Sequence, residues 1–320
     1  MNVLGLVAVV AQVGVVVGGA PLLTGLMRQV RAKMEGRAGG GVGQPWRDLR
    51  KLLRKEPITP TGTGPAFRMA PLLMVATTAV VAALIPFAST VTPVSSRADL
   101  IVVVALLALG TVALALAGLD TGTAFGGMGS SREMTVAALV EPTILLAVFA
   151  VSIPTGTTNL AAIVADGVHD PSRLATPASL MAAVALAVVT IAEAGRLPVD
   201  NPSTHLELTM IHEAMVLEYA GPDLALVELG AQMRLTVLLG LLTSLFVPWG
   251  VATTSSWAAL VPALLLFAVK VAVLGGVLAA AEVFWAKVRL FKVPELLAGS
   301  FLSALLAVVA SFFLTGGGPR

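Results

Sequence analysis

Residues 193–228 hold seven acids, Glu193, Asp200, Glu207, Glu213, Glu218, Asp223 and Glu228, out of 18 in the whole chain. Carboxylates gathered this densely repel one another when ionised, which raises some pKa values and suits them to exchanging protons near neutral pH. Arg196, His205 and His212 stand among them. Pro198 and Pro202 interrupt any helix entering the segment. Thr204 and Glu207 then have the Thr-x-x-Glu spacing of a capping box, which is a purely structural role for Glu207. A helix starting there places Glu207 and Glu218 on one face to within about 20°. His205, Thr209 and His212 form a second polar line. The spacing therefore predicts a helix of about 15 residues that dips into a protein interior and is wet on one side.

Other chemistries find no residues. His212 and Glu213 begin a zinc-peptidase motif, but the second histidine would fall at Val216, and there is no Gly-x-Ser-x-Gly elbow. The chain has no cysteine, so thiolate nucleophiles, disulfides, iron–sulfur clusters and cysteine-based zinc sites are excluded on it; three histidines are too few for a rich metal site. No catalytic or metal-ligating residue is assigned, and no cofactor is expected on this chain.

The elements that must position the acids are membrane helices. Hydrophobic residues make up 57% of the chain, far above a soluble domain, and mean hydropathy is +0.93. Eight apolar stretches, about 2–26, 69–89, 99–119, 134–154, 177–196, 234–252, 258–283 and 296–315, are long enough to cross a bilayer. Nothing alternates with the period of a barrel strand, so the expected fold is all-α, a polytopic integral membrane protein in one domain, 1–320. The first apolar run reads as a retained span. Sixteen of the 20 Lys and Arg fall on one side of these spans, against Arg97, Arg173 and Arg320 on the other. The positive-inside rule then places both termini outside and the odd-numbered loops, including loop 28–68 and the acidic loop 197–233, in the cytoplasm.

Glu141, Lys270 and Glu282 fall inside predicted spans, where each charge costs at least about 2.5–3.5 kcal/mol near the bilayer centre. They are expected to face an interior or a wet cavity, and one reading pairs Lys270 with Glu141 as an interhelical staple. Asp120 and Glu133, near span ends, have snorkelling open to them, as does Glu282. In the first loop, "GQPWRDLRKLLRKEPITP" sets Trp46, Leu49 and Leu53 on one helical face and Arg47, Arg50, Lys51 and Arg54 on the rest. That is an interfacial amphipathic helix, either a lipid-paired anchor or a docking surface for a cytoplasmic partner. The preceding "EGRAGGGVG" lacks a Walker lysine and follows no strand.

Three blocks, "MEGRAGGGVGQPWRDLRKLLRKEPITP", "GGMGSSREMTVAALVEPTILL" and "EAGRLPVDNPSTHLELTMIHEAMVLEYAG", resemble the subunit 1 family of complex I, the NADH–quinone oxidoreductase, with "KVRLFKVPELL" a weaker fourth. Glu193, Arg196, Pro198, Asp200, Glu207 and Leu208 match the quinone enzymes' pattern, but Val199 replaces a Phe and "NPSTH" replaces an acid-rich run. The wording is closer to the membrane subunit of energy-converting nickel–iron hydrogenases of the formate hydrogenlyase type. The resemblance implies a non-catalytic, proton-coupling subunit in a cell inner (plasma) membrane, linking a redox arm to antiporter-like subunits. Hydrogenase-like large and small subunits would carry the nickel–iron and iron–sulfur centres. It carries Glu193, Arg196, Asp200, Glu207 and Glu218 over as loop and cavity residues. Glu141, Glu213, Lys270 and Glu282 join them on a polar path, and Arg37, Gln44, Trp46, Asp48 and Lys51 lie at the partner interface. A complex I subunit with a quinone site, and a stand-alone transporter, are the alternatives. Nucleic acid is not an expected partner.

Overall fold

The computed structural model describes residues 3–200, 210–254, 256–286 and 288–316, and it is built of helices. In chain order these are α1 Val3–Met34, α2 Gln44–Leu52, α3 Pro65–Leu84, α4 Leu100–Asp120, α5 Ala124–Ser152, α6 Leu160–His169, α7 Pro177–Glu193, α8 His212–Val216, α9 Gly221–Phe246, α10 Trp257–Phe284 and α11 Val293–Gly316. Seven of them are long and apolar enough to cross a membrane. The eighth expected span, α7, has 17 residues, at the lower end of what a crossing takes.

α9 is the most buried of the seven, packed against α1, α3, α7 and α10. It is apolar around its whole circumference, as a helix enclosed by others must be. α5, α7 and α11 form one flank of the bundle, α3 and α4 another, and α1 with α10 a third. The core runs through Val81, Ile85, Leu107, Ile144, Leu186, Met233 and Leu238.

Three boundaries differ from the hydropathy reading. α1 continues to Met34, α5 begins at Ala124 and α9 begins at Gly221. Each extension lies on the basic side. Thr123 caps α5 by accepting from the Gly126 N–H at 3.1 Å, and Pro222 stands in the first turn of α9. Arg132, Glu133, Glu228 and Arg234 are therefore helix residues, not loop residues. Hydropathy ended the spans at these charges; the protein interior accommodates them instead.

The first loop is wedged between α1 and α9 by two glycines. Any side chain on Gly25 would strike the Val42 carbonyl, and one on Gly221, held at φ +59°, would come within 2.6 Å of the Glu56 carbonyl oxygen. Between these pins α2 buries Leu49 against the bundle. Asp120 closes the neighbouring corner. Its carboxylate accepts from the N–H groups of Gly64 at 2.8 Å and Phe67 at 3.0 Å, capping α3 from the end of α4. That is a structural role, and it replaces the snorkelling open to Asp120 from sequence. Asp120→Ala should lower stability by about 1 kcal/mol, within the usual range for a lost cap, read as a fall in the thermal midpoint of the purified protein, with Asp120→Asn losing less.

Candidate functional site: a charged cavity and a buried ion pair

A cavity of about 620 Å³ opens on the basic side between α1, the first loop, the segment after α7, α8, α9 and α10. Its walls carry Arg28, Arg31, Arg37 and Arg196 beside Glu35, Asp200, Glu213, Glu228 and Glu282, with His212 and Gln232. Gly195, Asp200 and His212 also border a second, very small cavity of about 10 Å³ that holds Glu133 and Glu193. Asp200 and His212 thus form the wall between an open charged space and an enclosed acidic one.

The two cavities are organised by two ion clusters. Glu282, near the end of α10 and only 3% exposed, lies between Arg196 at 3.7 Å and Arg31 at 3.9 Å; Arg31 also holds Glu35 at 3.1 Å. Snorkelling, open to Glu282 from sequence, is not what it does. The deeper cluster joins the last residue of α7 to the middle of α9. Arg234 Nη2 donates to Glu193 Oε1, to Thr111 Oγ1 and, at 2.8 Å, to the Leu107 carbonyl; Thr111 also donates to Glu193 at 3.3 Å. Both side chains are buried, at 9% and 2% exposure. Glu193 Oε2 and Arg234 Nε have no hydrogen-bond partner among the described residues.

The acidic segment is arranged differently from the expected single helix. Met210 and Ile211 are not helical, and α8 has five residues, so no continuous helix carries Glu207 and Glu218 together. Glu207 and His205 lie outside the described residues. The segment is instead tied down at separate points. Arg132 Nη1 donates to the Met210 carbonyl at 2.8 Å, and the Ile211 N–H donates to Asp200 Oδ2 at 3.3 Å. Glu218 is half-buried in the turn before α9 and does not line the large cavity. Its neighbour Tyr219 is fixed by stacking on Phe67 (centroids 4.1 Å apart) and by donating to the Phe67 carbonyl at 2.7 Å. Burial, then the nearby Asp223 and Asp120, push the Tyr219 phenol well above its ordinary pKa.

Among the spanning-helix charges, Glu133 and Glu141 both feel Glu193 and Arg234 electrostatically, so α5 contributes two carboxylates to the deeper cluster. Lys270 is elsewhere. Its ammonium donates to the carbonyls of Val247, at 2.6 Å, and Trp249, closing the end of α9, with no carboxylate partner among the described residues. The expected Lys270–Glu141 staple is absent because those carbonyls, left over at a helix end, take the lysine's protons. Arg234 is the functional residue that sequence reading missed, having counted it as a loop cation. A lone arginine well inside α9 was the available signal.

In the first loop Arg37 is exposed and pairs with Glu35 at the cavity rim; Gln44 donates to Asp48 at 2.9 Å, and Asp48 faces Arg28 at 3.8 Å. Trp46 donates its ring N–H to the Gly18 carbonyl of α1 at 3.1 Å, and Lys51 is exposed.

A family model described as NADH dehydrogenase matches residues 6–313. The chain belongs to that family. It is 34% identical over 299 residues to hydrogenase-4 component C of Escherichia coli K12, covering 92% of each chain. It is likewise 34% identical to formate hydrogenlyase subunit 4 of the same organism, covering 91% of this chain and 94% of that one. An NADH-quinone oxidoreductase membrane subunit of Rickettsia prowazekii is 28% identical over 64% of this chain and 60% of that one. The fold also matches a chain in the structure of the membrane-bound sulfane sulfur reductase, an archaeal respiratory membrane complex, with TM-score 0.80 at 19% identity, over 96% of this chain and 99% of that one. The protein is thus a multi-pass membrane protein of this family, and its Escherichia coli relatives bear hydrogenase-type names.

Two measurements test this geometry. Removing one member of a buried ion pair costs about 3–5 kcal/mol, whereas replacing both with apolar residues is often neutral. Glu193→Leu and Arg234→Met should each lower the thermal midpoint steeply and the double variant should recover much of the loss; additive losses would mean the two do not act as a pair. Burial, partly offset by Asp200, pushes the His212 pKa below its usual value. The unfolded state then binds the extra proton first. Stability is full above about pH 6.5 and falls as pH drops from there towards the lower folded pKa. His212→Gln should flatten that part of the stability–pH curve.

Proposed function

We propose that this chain is the membrane-anchoring, proton-coupling subunit of a complex-I-like, membrane-bound nickel–iron hydrogenase or formate hydrogenlyase complex in the cell inner membrane. The observation that carries the proposal is the continuous run of charged groups from the open cavity to the interior of the bundle. It leads from Arg31, Glu282 and Arg196, through Asp200 and His212, to Glu133, Glu193, Arg234 and Glu141. Isolated charges at such positions are costly, and carboxylates placed there in sequence are how membrane proteins conduct protons. Polar atoms without a protein partner along the run, among them Glu193 Oε2, Gln232 Oε1 and Glu282 Oε1, are suited to water, which carries protons between carboxylates. The assignment to the hydrogenase branch is supported by the two Escherichia coli relatives at near-full coverage.

In this reading the redox chemistry takes place on hydrogenase-like large and small subunits, which hold the nickel–iron and iron–sulfur centres and dock on the basic side around Arg37, Gln44, Asp48 and the cavity mouth. A redox-linked change there alters the protonation of the Asp200–His212 wall. Glu193 and Arg234 pass the change to antiporter-like membrane subunits. The basic side is cytoplasmic, by the excess of Lys and Arg, with both termini outside. A quinone site is the second reading, favoured by the cavity's volume, which falls within the range of ligand pockets, and by the NADH-quinone oxidoreductase relatives. The charged lining weighs against it, since a quinone ring gains most from apolar walls.

Affinity purification of the tagged chain in mild detergent should recover a nickel-containing large subunit and an iron–sulfur small subunit, identified by mass spectrometry and metal analysis. Recovery of quinone reductase activity sensitive to quinone-site inhibitors, without nickel, would establish the second reading instead.

A further inference from the structure

The outward face of α2 carries Arg47, Arg50, Lys51 and Arg54, all exposed, which together line an open recess of about 340 Å³. None of the four has a counter-ion among the described residues. The helix's own acid, Asp48, is taken up by Gln44 and Arg28 on the inward side. Four uncompensated cations around one recess form a site for an anion.

The depth of α2 identifies which anion. Two contacts fix it against α1: the Val42 backbone seated on Gly25, and the Trp46 ring N–H on the Gly18 carbonyl. Gly18 is 15 residues from Val3, about 22 Å along the helix, which is less than the thickness of the hydrocarbon core, about 30 Å. The Trp46 indole therefore reaches the membrane interface, the level at which tryptophan is enriched. Leu53, 55% exposed, continues the apolar edge of the same helix. Cations carried at this level, beside an indole and a leucine left uncovered by the protein, face lipid headgroups and not a subunit standing in the cytoplasm.

We propose that the Arg47–Arg50–Lys51–Arg54 recess binds the phosphate of an anionic phospholipid and fixes the first loop to the membrane surface. Each cation near an anionic membrane is worth about 1 kcal/mol, or about fivefold in affinity. The lipid would hold α2, and through it the Val42–Gly25 wedge, in place beside the cavity mouth.

The test uses the whole purified complex in nanodiscs of phosphatidylcholine with and without phosphatidylglycerol, and native mass spectrometry to read retained lipid. Wild type should retain phosphatidylglycerol over phosphatidylcholine, and Arg50→Gln/Arg54→Gln should reduce that preference by an order of magnitude or more. Excess inorganic phosphate should not displace the lipid, which would separate a headgroup site from a free-phosphate site. The milder Arg47→Gln/Lys51→Gln pair repeats the measurement if the first pair does not assemble. Unchanged phosphatidylglycerol retention in an assembled variant would overturn the proposal. Loss of a peripheral subunit with retention unchanged would overturn it too, and would mark the face as a protein-docking surface.

Discussion

The structure depends on a single electrostatic constraint: an arginine in the middle of the most buried helix must be neutralised where no bulk water reaches. Arg234 meets it with one carboxylate, one hydroxyl and one backbone carbonyl, drawn from α7 and α4. The arrangement locks three helices in register. It also makes the end of α7 the place where charge can change only at a cost, because neutralising Glu193 leaves Arg234 uncompensated. A protonation change at one end of the run is thereby converted into a change in helix packing at the other.

The second cluster repeats the logic nearer the surface with opposite stoichiometry, one carboxylate between two guanidiniums. Burial lowers the Arg196 pKa and Glu282 offsets the shift. Between the clusters stand Asp200 and His212, exposed to one cavity on each side. An imidazole kept neutral by burial can accept a proton at one ring nitrogen and release one from the other. The two-cavity layout gives that property a direction.

Much of this was legible in the sequence. Apolar run lengths and the lopsided placement of Lys and Arg pointed to the helical membrane fold, and the family motifs pointed to the charged loop. What escaped was set by tertiary contact. Hydropathy stopped α5 and α9 at Arg132, Glu133 and Arg234, since it treats every charge as a loop residue, while the bundle supplies partners inside. Helix phase assigned Glu207 and Glu218 a shared face, but Met210 and Ile211 leave the helix. Lys270 was expected to seek a carboxylate; nothing in one dimension shows that the carbonyls of Val247 and Trp249 would meet it first.

The central claim is that Glu193 transmits proton movement and is not merely a staple. The most direct measurement is proton translocation by the assembled complex in sealed vesicles, with Glu193→Gln compared with wild type while hydrogenase turnover is monitored in parallel. The account predicts that Glu193→Gln retains most turnover and loses translocation. Equal translocation per turnover in the two would contradict it.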